Sequence, residues 1–201
     1  RKRFLIDDDE FLLTIGFGGD PEERAVVQLP QIVNLLRSLP VVVAFRFHPK
    51  HPDKEMLWVE ACLSGLDTID ARRLNLNDLN IASNMVVAEW TSQDPYKALL
   101  CGIPTATLLF PERFPLGSGE MFDDYERRIG VGFPSGIPPI VAMSLAWGAS
   151  TPEELKGLIQ YVIRNEADAK AKTIERALSF RDLARPGAAE CMAHEFMKYI
   201  G

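Results

Sequence analysis

Short apolar runs alternate along this chain with stretches of helical length, and that alternation predicts an α/β fold. Phe11 to Phe17 reads as a buried strand closed by Gly18-Gly19. Asp20-Pro21-Glu22-Glu23 then opens a helix: Asp20 suits the N-cap, Pro21 the first helical position, and Glu23 completes a capping box. The helix is expected to run toward Ser38, kinked or split at Pro30, where proline removes an N–H and crowds the preceding turn. Val41 to Phe47 is the clearest strand, β-branched and almost continuously apolar, as in a strand covered on both faces. His48-Pro49-Lys50-His51-Pro52 ends it abruptly.

Further elements follow at short intervals. A helix is expected from about Asp53 to Leu63, a short strand from Leu66 to Ile69, a short helix from Leu76 to Ser83 and a strand from Met85 to Ala88. Gln93 to Cys101 reads as a helix stopped at Gly102, and Pro104 to Phe110 as another strand. The segment from Pro111 to Ser150, rich in Gly and Pro, predicts a ligand-side loop and one more strand near Ile140 to Leu145. Thr151-Pro152-Glu153-Glu154 is a strong helix start, and helices are expected from there to Tyr199, with a break at Pro186-Gly187.

These elements predict a doubly wound, mostly parallel Rossmann-like sheet with helices on both faces and a helical C-terminal extension. Residues 1–10 read as a linker or the remnant of a preceding domain, 11–165 as the Rossmann-like domain, and 166–201 as C-terminal helices packed on it. Right-handed crossovers put every strand-to-helix loop on one rim, where open α/β sheets bind ligands. The loops concerned are Gly18-Gly19, His48 to Pro52, and Trp90 to Asp94.

Composition narrows the function. The chain has 201 residues, 47% hydrophobic, with a formal net charge of −6 and no long basic stripe, so a nucleic-acid-binding face is not expected. Cys62, Cys101 and Cys191 are odd in number, far apart and form no CxxC pair. Buried free thiols in a reducing compartment fit better than a disulfide framework or a zinc site. No apolar run reaches membrane-spanning length and no secretory signal opens the chain. The expected location is cytoplasmic, with peripheral docking at a membrane compatible with the sequence. The start at Arg1-Lys2-Arg3, without Met, suggests a fragment or a processed product.

Three loops carry the candidate chemistry. Gly18 and Gly19 let backbone N–H groups approach a phosphate, although Gly16-Phe17-Gly18-Gly19 is neither GxGxxG nor a Walker A loop, and a tight turn before a capped helix explains it equally. Arg46 and His48 alternate with Phe47, so both point to one face of the strand end, and Lys50 adds charge beyond them. Burying an Arg in a core strand is costly unless it is paired, so this cluster suits an anion or a base edge. The alternative is that Arg46 pairs with a nearby carboxylate and His48 caps the strand. In the third loop Thr91, Ser92 and Gln93 precede a helix, where hydroxyls serve as ordinary N-caps or help hold phosphate. A metal site at His48 and His51 is not expected, because two prolines break the geometry and no third ligand is evident. No cofactor is expected, and no Ser/His/Asp set, GxSxG elbow or HExxH helix is present.

The ordered set of a Gly-Gly loop, Arg46-Phe47-His48-Pro49-Lys50, Ile81-Ala82-Ser83-Asn84, Thr91-Ser92 and Cys101-Gly102-Ile103-Pro104 resembles the C-terminal domain of GT-B glycosyltransferases. In style it is similar to capsule and teichoic-acid polymerising transferases and to non-hydrolysing UDP-sugar 2-epimerases. The resemblance spans roughly residues 11 to 110 and weakens toward 165. It implies a donor-binding domain for a UDP, CDP or GDP type of nucleotide-sugar, used in polysaccharide biosynthesis. A sugar or polyol-phosphate unit would pass to an acceptor held by an N-terminal domain. Gly18 and Gly19 would face the diphosphate, Arg46 and His48 the base or phosphates, and Thr91 and Ser92 a phosphate. One departure stands out. Lys97-Ala98 occupies the place of a Glu-Ala whose Glu commonly binds ribose hydroxyls, and Lys cannot accept those hydrogen bonds. Lys97 would then meet a phosphate, or the ribose is held by other groups, or nucleotide binding is degraded. The resemblance also admits half of an epimerase, and the Lys97 departure admits a non-catalytic α/β interaction domain. The isolated chain is expected to be inactive.

Overall fold

A computed structural model describes residues 6–16, 22–46, 63–71, 74–89, 92, 94–109 and 139–183, with backbone alone for 22–28, 70, 139, 182 and 183. Its elements are β1 (Leu12–Gly16), α1 (Glu22–Leu36), β2 (Val42–Arg46), β3 (Thr68–Asp70), α2 (Leu76–Ala82), β4 (Met85–Glu89), α3 (Asp94–Leu100), β5 (Thr105–Leu108), α4 (Pro139–Ala142), β6 (Trp147–Ala149), α5 (Pro152–Arg164) and α6 (Glu166–Leu183). The six strands form one sheet in the order β3-β2-β1-β4-β5-β6. Every pairing in it is parallel. This is the doubly wound Rossmann-like fold that the alternating pattern predicts.

The central strands β1, β2 and β4 are buried along almost their whole length, as parallel strands covered by helices on both faces are. Leu13, Ile15, Val43, Phe45, Met85 and Val87 share one core with Leu29, Ile32, Val33 and Leu36 of α1 and Leu155, Ile159 and Val162 of α5. On the opposite face Leu12, Val42 and Ala44 pack with Leu79 and Ala82 of α2, and Val86 packs with Ala98 of α3. Ile6, N-terminal to β1, is buried in the α2-side core.

Local signals end these elements where the chain needs it. Asn75 caps α2, its Oδ1 accepting from the N–H groups of Asn77 and Asp78 at 2.9 and 3.3 Å. Gly102, at φ 73°, closes α3 in a Schellman turn: Ile103 N–H reaches Ala98 O at 3.0 Å and Gly102 N–H reaches Leu99 O at 2.9 Å. The accompanying apolar contact is Ile103 on Ala98. At the start of α5, Thr151 Oγ1 accepts from Glu154 N–H at 3.1 Å, while the Glu154 carboxylate returns to Ser150 N–H at 2.7 Å.

Three expectations need correction. Of the kink or split expected at Pro30, the split does not occur: helix α1 runs continuously from Glu22 to Leu36. Its inward stripe of Leu29, Ile32, Val33 and Leu36, buried against the sheet, holds the helix together on both sides of the missing N–H. Residues Ile140 to Leu145 do not make a strand. They form the single turn α4 and a loop in which Leu145 and Ala146 N–H both bond Ile140 O, at 2.9 and 3.1 Å, and Ser144 takes φ 56°. Ile140 and Leu145 bury themselves beside Leu99 of α3, so their apolar character is satisfied without pleating. The sixth strand is instead Trp147–Ala149, where Gly148 is needed: a Cβ there would lie 2.6 Å from Leu109 Cδ1 and 3.0 Å from Val141 Cγ1. Finally, Cys101 is an exposed free thiol, because it sits at the open end of the turn that closes α3.

Several expected features fall outside the described residues: the Asp20 cap, the helix from 53 to 62, the loop from 111 to 138, the break at Pro186-Gly187, Cys62 and Cys191. Among the described residues no helix is long and apolar enough to cross a membrane.

Candidate functional site

Parallel strands place their C-terminal ends on one rim, and the sequence-predicted loops leave from neighbouring strands. Gly16 lies opposite Arg46 across β1 and β2, and opposite Ala88 across β1 and β4. The strand order turns at this point. From β1 the chain steps outward to β2 and β3, then crosses back to β4 on the other side of β1. The helices after β1 and β4 therefore diverge to opposite faces, so the two strand tips flank the switch point, the position where open α/β sheets bind ligands. The starts of the three loops are thus brought together, as expected. Gly18, Gly19, His48, Lys50, Thr91 and Gln93 themselves lie outside the described residues.

Arg46 closes β2 after four buried residues and is itself half-buried. It follows Val42 and Ala44 by strand alternation, so its side chain leaves on their face of the sheet. Its Nη1 is buried and has no hydrogen-bond partner among the described residues. Pairing with a carboxylate, the alternative reading of this residue, is not what the described residues provide. A buried guanidinium nitrogen without an acceptor is costly, and it suits an anionic oxygen arriving from outside.

Ser92 is half-buried. Its N–H donates to Glu89 O at 3.0 Å, and its Oγ accepts from Asp94 N–H at 3.1 Å. The hydroxyl thus has the N-capping part expected of it, and the Asp94 N–H is already occupied. Lys97 is exposed on α3, between the buried Pro95 and Ala98.

Two residues of this rim escaped the sequence reading. Glu89, the last residue of β4, is only 3% exposed. Asp94 folds its carboxylate across the tip of β1: a Cβ on Gly16 would stand 2.8 Å from Asp94 Oδ2. Glycine at this strand end leaves room for the Asp94 carboxylate, which a side chain would displace, with no positive φ involved. The available signal for Glu89 was an acid ending an apolar strand at the level where Arg46 ends another.

A cleft of about 680 Å³ opens at the opposite rim, lined by Asp8, Asp9, Glu10, Asp67 and Glu166 among others. Arg37 is the single cation of its lining, and its Nη2 already donates to Ser64 O at 3.0 Å. That rim repels anions and does not compete with Arg46 for one. Among the described residues no group of His, Cys, Asp and Glu is arranged to hold a metal ion.

No protein-family model matches the sequence, and no curated protein sequence matches it. Its fold, however, is that of solved structures of GT-B type. The wall teichoic acid polymerase TagF superposes with a TM-score of 0.56 over 98% of this chain and 44% of its own, at 13% identity. The spinosyn rhamnosyltransferase SpnG, complexed with thymidine diphosphate, gives a TM-score of 0.50 over 85% and 42%, at 20% identity. A putative UDP-N-acetylglucosamine 2-epimerase from Listeria monocytogenes gives 0.50 over 83% and 39%, at 10% identity. The chain therefore has the Rossmann-like fold found in GT-B glycosyltransferases and in this epimerase. It spans about two fifths of the length of each of these proteins.

Proposed function

We propose that this chain is the donor-binding half of a GT-B glycosyltransferase, holding a nucleotide-sugar at the switch point between β1 and β4. The observation that carries the reading is the buried, unpartnered Nη1 of Arg46 at the switch point of the sheet. The likeness to SpnG complexed with thymidine diphosphate supports it. Gly18, Gly19, His48, Lys50, Thr91 and Gln93 of the loops and Lys97 of α3 belong to this proposal as the groups around the diphosphate, with Ser92 ordering the third loop. In the reaction an acceptor hydroxyl, held by a second domain, attacks the carbon that carries the nucleoside diphosphate. The bond to the diphosphate oxygen breaks, and the hydroxyl proton passes to a base in that second domain. Arg46 acts on the departing diphosphate, whose negative charge grows as the bond breaks, and a cation fixed in a low-dielectric site is well suited to that. The surroundings are cytoplasmic, with peripheral membrane docking compatible. Residues 11–165 would form the donor domain and 166–201 helices packed on it.

The likeness to an epimerase favours a second reading, half of an enzyme that moves a proton on a UDP-sugar. Thermal melting with UDP, CDP, GDP and TDP and their glucose derivatives tests both, because a ligand bound only by the native state raises the melting temperature. At least one nucleotide is expected to raise it, and Arg46→Ala to abolish the rise. No response to any of them leaves the chain as a non-catalytic α/β interaction domain. The epimerase reading is separated by interconversion of UDP-N-acetylglucosamine when the chain is joined to its second domain.

A further inference from the structure

Two polar groups flank Gly16 on one face of the sheet, and neither satisfies the other. Strand alternation sends Arg46 to the face that carries Val42 and Ala44, the face toward which a Cβ on Gly16 would point. Neighbouring strands stand about 4.8 Å apart, so the guanidinium starts one strand away from the glycine. Asp94 enters from the other side, its Oδ2 laid over Gly16 and half-buried. Yet no ion pair joins Arg46 to Asp94 among the described residues, and Arg46 Nη1 stays without an acceptor. Nothing among the described residues donates to the Asp94 carboxylate, whose backbone N–H is instead held by Ser92 Oγ.

A bare phosphate or pyrophosphate fits this arrangement poorly. It would satisfy Arg46 and be repelled by Asp94. A molecule that carries an anionic oxygen and a hydroxyl a few ångströms apart satisfies both. We propose that Asp94 accepts a hydrogen bond from a ligand hydroxyl while Arg46 takes an anionic oxygen of the same molecule, so that the site selects phosphate esters of hydroxylated compounds over inorganic phosphates. Gly16 is the enabling residue, since a side chain there would occupy the carboxylate's place. This assigns Asp94 a specificity role and rests on the donor-site reading above.

Calorimetry with three ligands tests it: inorganic pyrophosphate, the nucleoside diphosphate that gives the largest thermal shift, and the glucose ester of that diphosphate. For Asp94→Ala the signs are expected to split. Affinity for the hydroxylated ligand falls roughly tenfold or more, the scale of a hydrogen bond to a charged group. Affinity for pyrophosphate rises, because a negative charge has left the site. Loss with both the nucleoside diphosphate and its glucose ester assigns the hydroxyl to the nucleoside, and loss only with the glucose ester assigns it to the sugar. A shift of both ligand classes in the same direction, or in neither, shows that Asp94 merely packs on Gly16 and overturns the inference. Arg46→Ala, measured in parallel, separates the two levels. If it weakens all three ligands while Asp94→Ala does not discriminate, the donor site stands and the role of Asp94 falls. If the unmodified chain binds none of the three, both fall together.

Discussion

The two rims of this sheet differ in the polar groups they bury: a hydrogen-bonded network of neutral side chains at one, an unpartnered cationic nitrogen at the other. At the N-terminal rim the buried side chains of Asn84, Thr14 and Ser83 are partnered, while Asn80 beside them is buried with neither side-chain polar atom hydrogen-bonded among the described residues. Asn84 Oδ1 accepts from the Leu12 N–H at 2.8 Å and its Nδ2 donates to Glu166 Oε1 at 2.9 Å, tying β1 and β4 to the start of α6. Thr14 Oγ1 meets Ser83 Oγ at 2.7 Å, and Ser83 Oγ continues to Leu79 O at 2.8 Å. At the C-terminal rim the guanidinium of Arg46 keeps a buried nitrogen unpartnered and a carboxylate lies nearby without taking it. A satisfied network rigidifies a fold, whereas a buried guanidinium nitrogen without an acceptor costs stability more than a neutral group does. The contrast separates residues that hold the sheet together from residues held in readiness for something else.

Substitutions at the two rims should therefore fail differently. The largest effect is expected for Asn84→Ala, which strips the acceptor from a buried amide and a donor from Glu166. A loss of about 3 kcal/mol in unfolding free energy is expected from those unmet groups, read as a lower urea midpoint, with nucleotide affinity unchanged. A binding defect without a stability defect would erase the contrast. Next comes Arg46→Met. Its cost should appear in binding, about 2 kcal/mol or roughly thirtyfold in Kd, with the melting temperature of the free chain equal or higher. Unfolding of this variant would mark Arg46 as structural.

Smaller changes sharpen the same division. Gly102→Ala, at the turn that closes α3 near the N-terminal rim, is expected to lose about 1 kcal/mol of stability and no affinity. The alanine must adopt φ 73° and its Cβ stands 3.2 Å from Ile174 Cγ1. Gly16→Ala, at the other rim, should do the reverse: little change in melting temperature, because the atom it meets is the end of a movable Asp94 side chain, and a measurable loss of affinity by calorimetry.

The smallest effect belongs to neither rim and serves as a control. On the exposed surface of α5 and α6, the Tyr161 hydroxyl donates to Asp168, and Lys172 Nζ sits 2.9 Å from both the Tyr161 oxygen and Asp168. The Tyr161 hydrogen bond, with Lys172 behind it, holds the Asp168 carboxyl below its ordinary 3.8. The same two partners, Tyr161 first, hold Lys172 above its ordinary 10.5. The Asp168 contribution is therefore present above pH 3.8 and lost as pH falls through the lowered value; the Lys172 contribution is present below pH 10.5 and lost as pH rises through the raised one. Tyr161→Phe should flatten both limbs slightly in melting curves taken across pH and leave the neutral region unchanged. A large effect near neutrality would contradict an exposed, solvent-screened cluster.

The sequence made the core legible because burial on both faces leaves long apolar runs. β1, β2, β4 and β5 lie within the expected bounds but for the Glu89 end of β4, and Gly102 and Thr151 act as the caps their neighbours implied. The edge was harder. β6 has three residues with glycine in the middle, too short for a period-two signal, while the more apolar Ile140 to Leu145 is turned aside by packing against α3. Arg46 could be picked out because a cation ending an apolar strand has few structural excuses. Asp94 could not, since its importance comes from a fold-over onto Gly16, a residue 78 positions away in a strand that sequence alone does not place beside it. Local pattern reports what is buried; it does not report which buried groups end up without company.

One feature of the sheet reaches beyond this ligand. All six strands point the same way, so the tips of β1, β2 and β4 gather on one rim while α1 and α5 close the apolar interior on one face. A protein engineer seeking a new preference can exchange the stretches after β1, β2 and β4 as cassettes and keep the scaffold. Over generations the same arrangement lets a lineage change its chemistry while its interior drifts on an unrelated schedule.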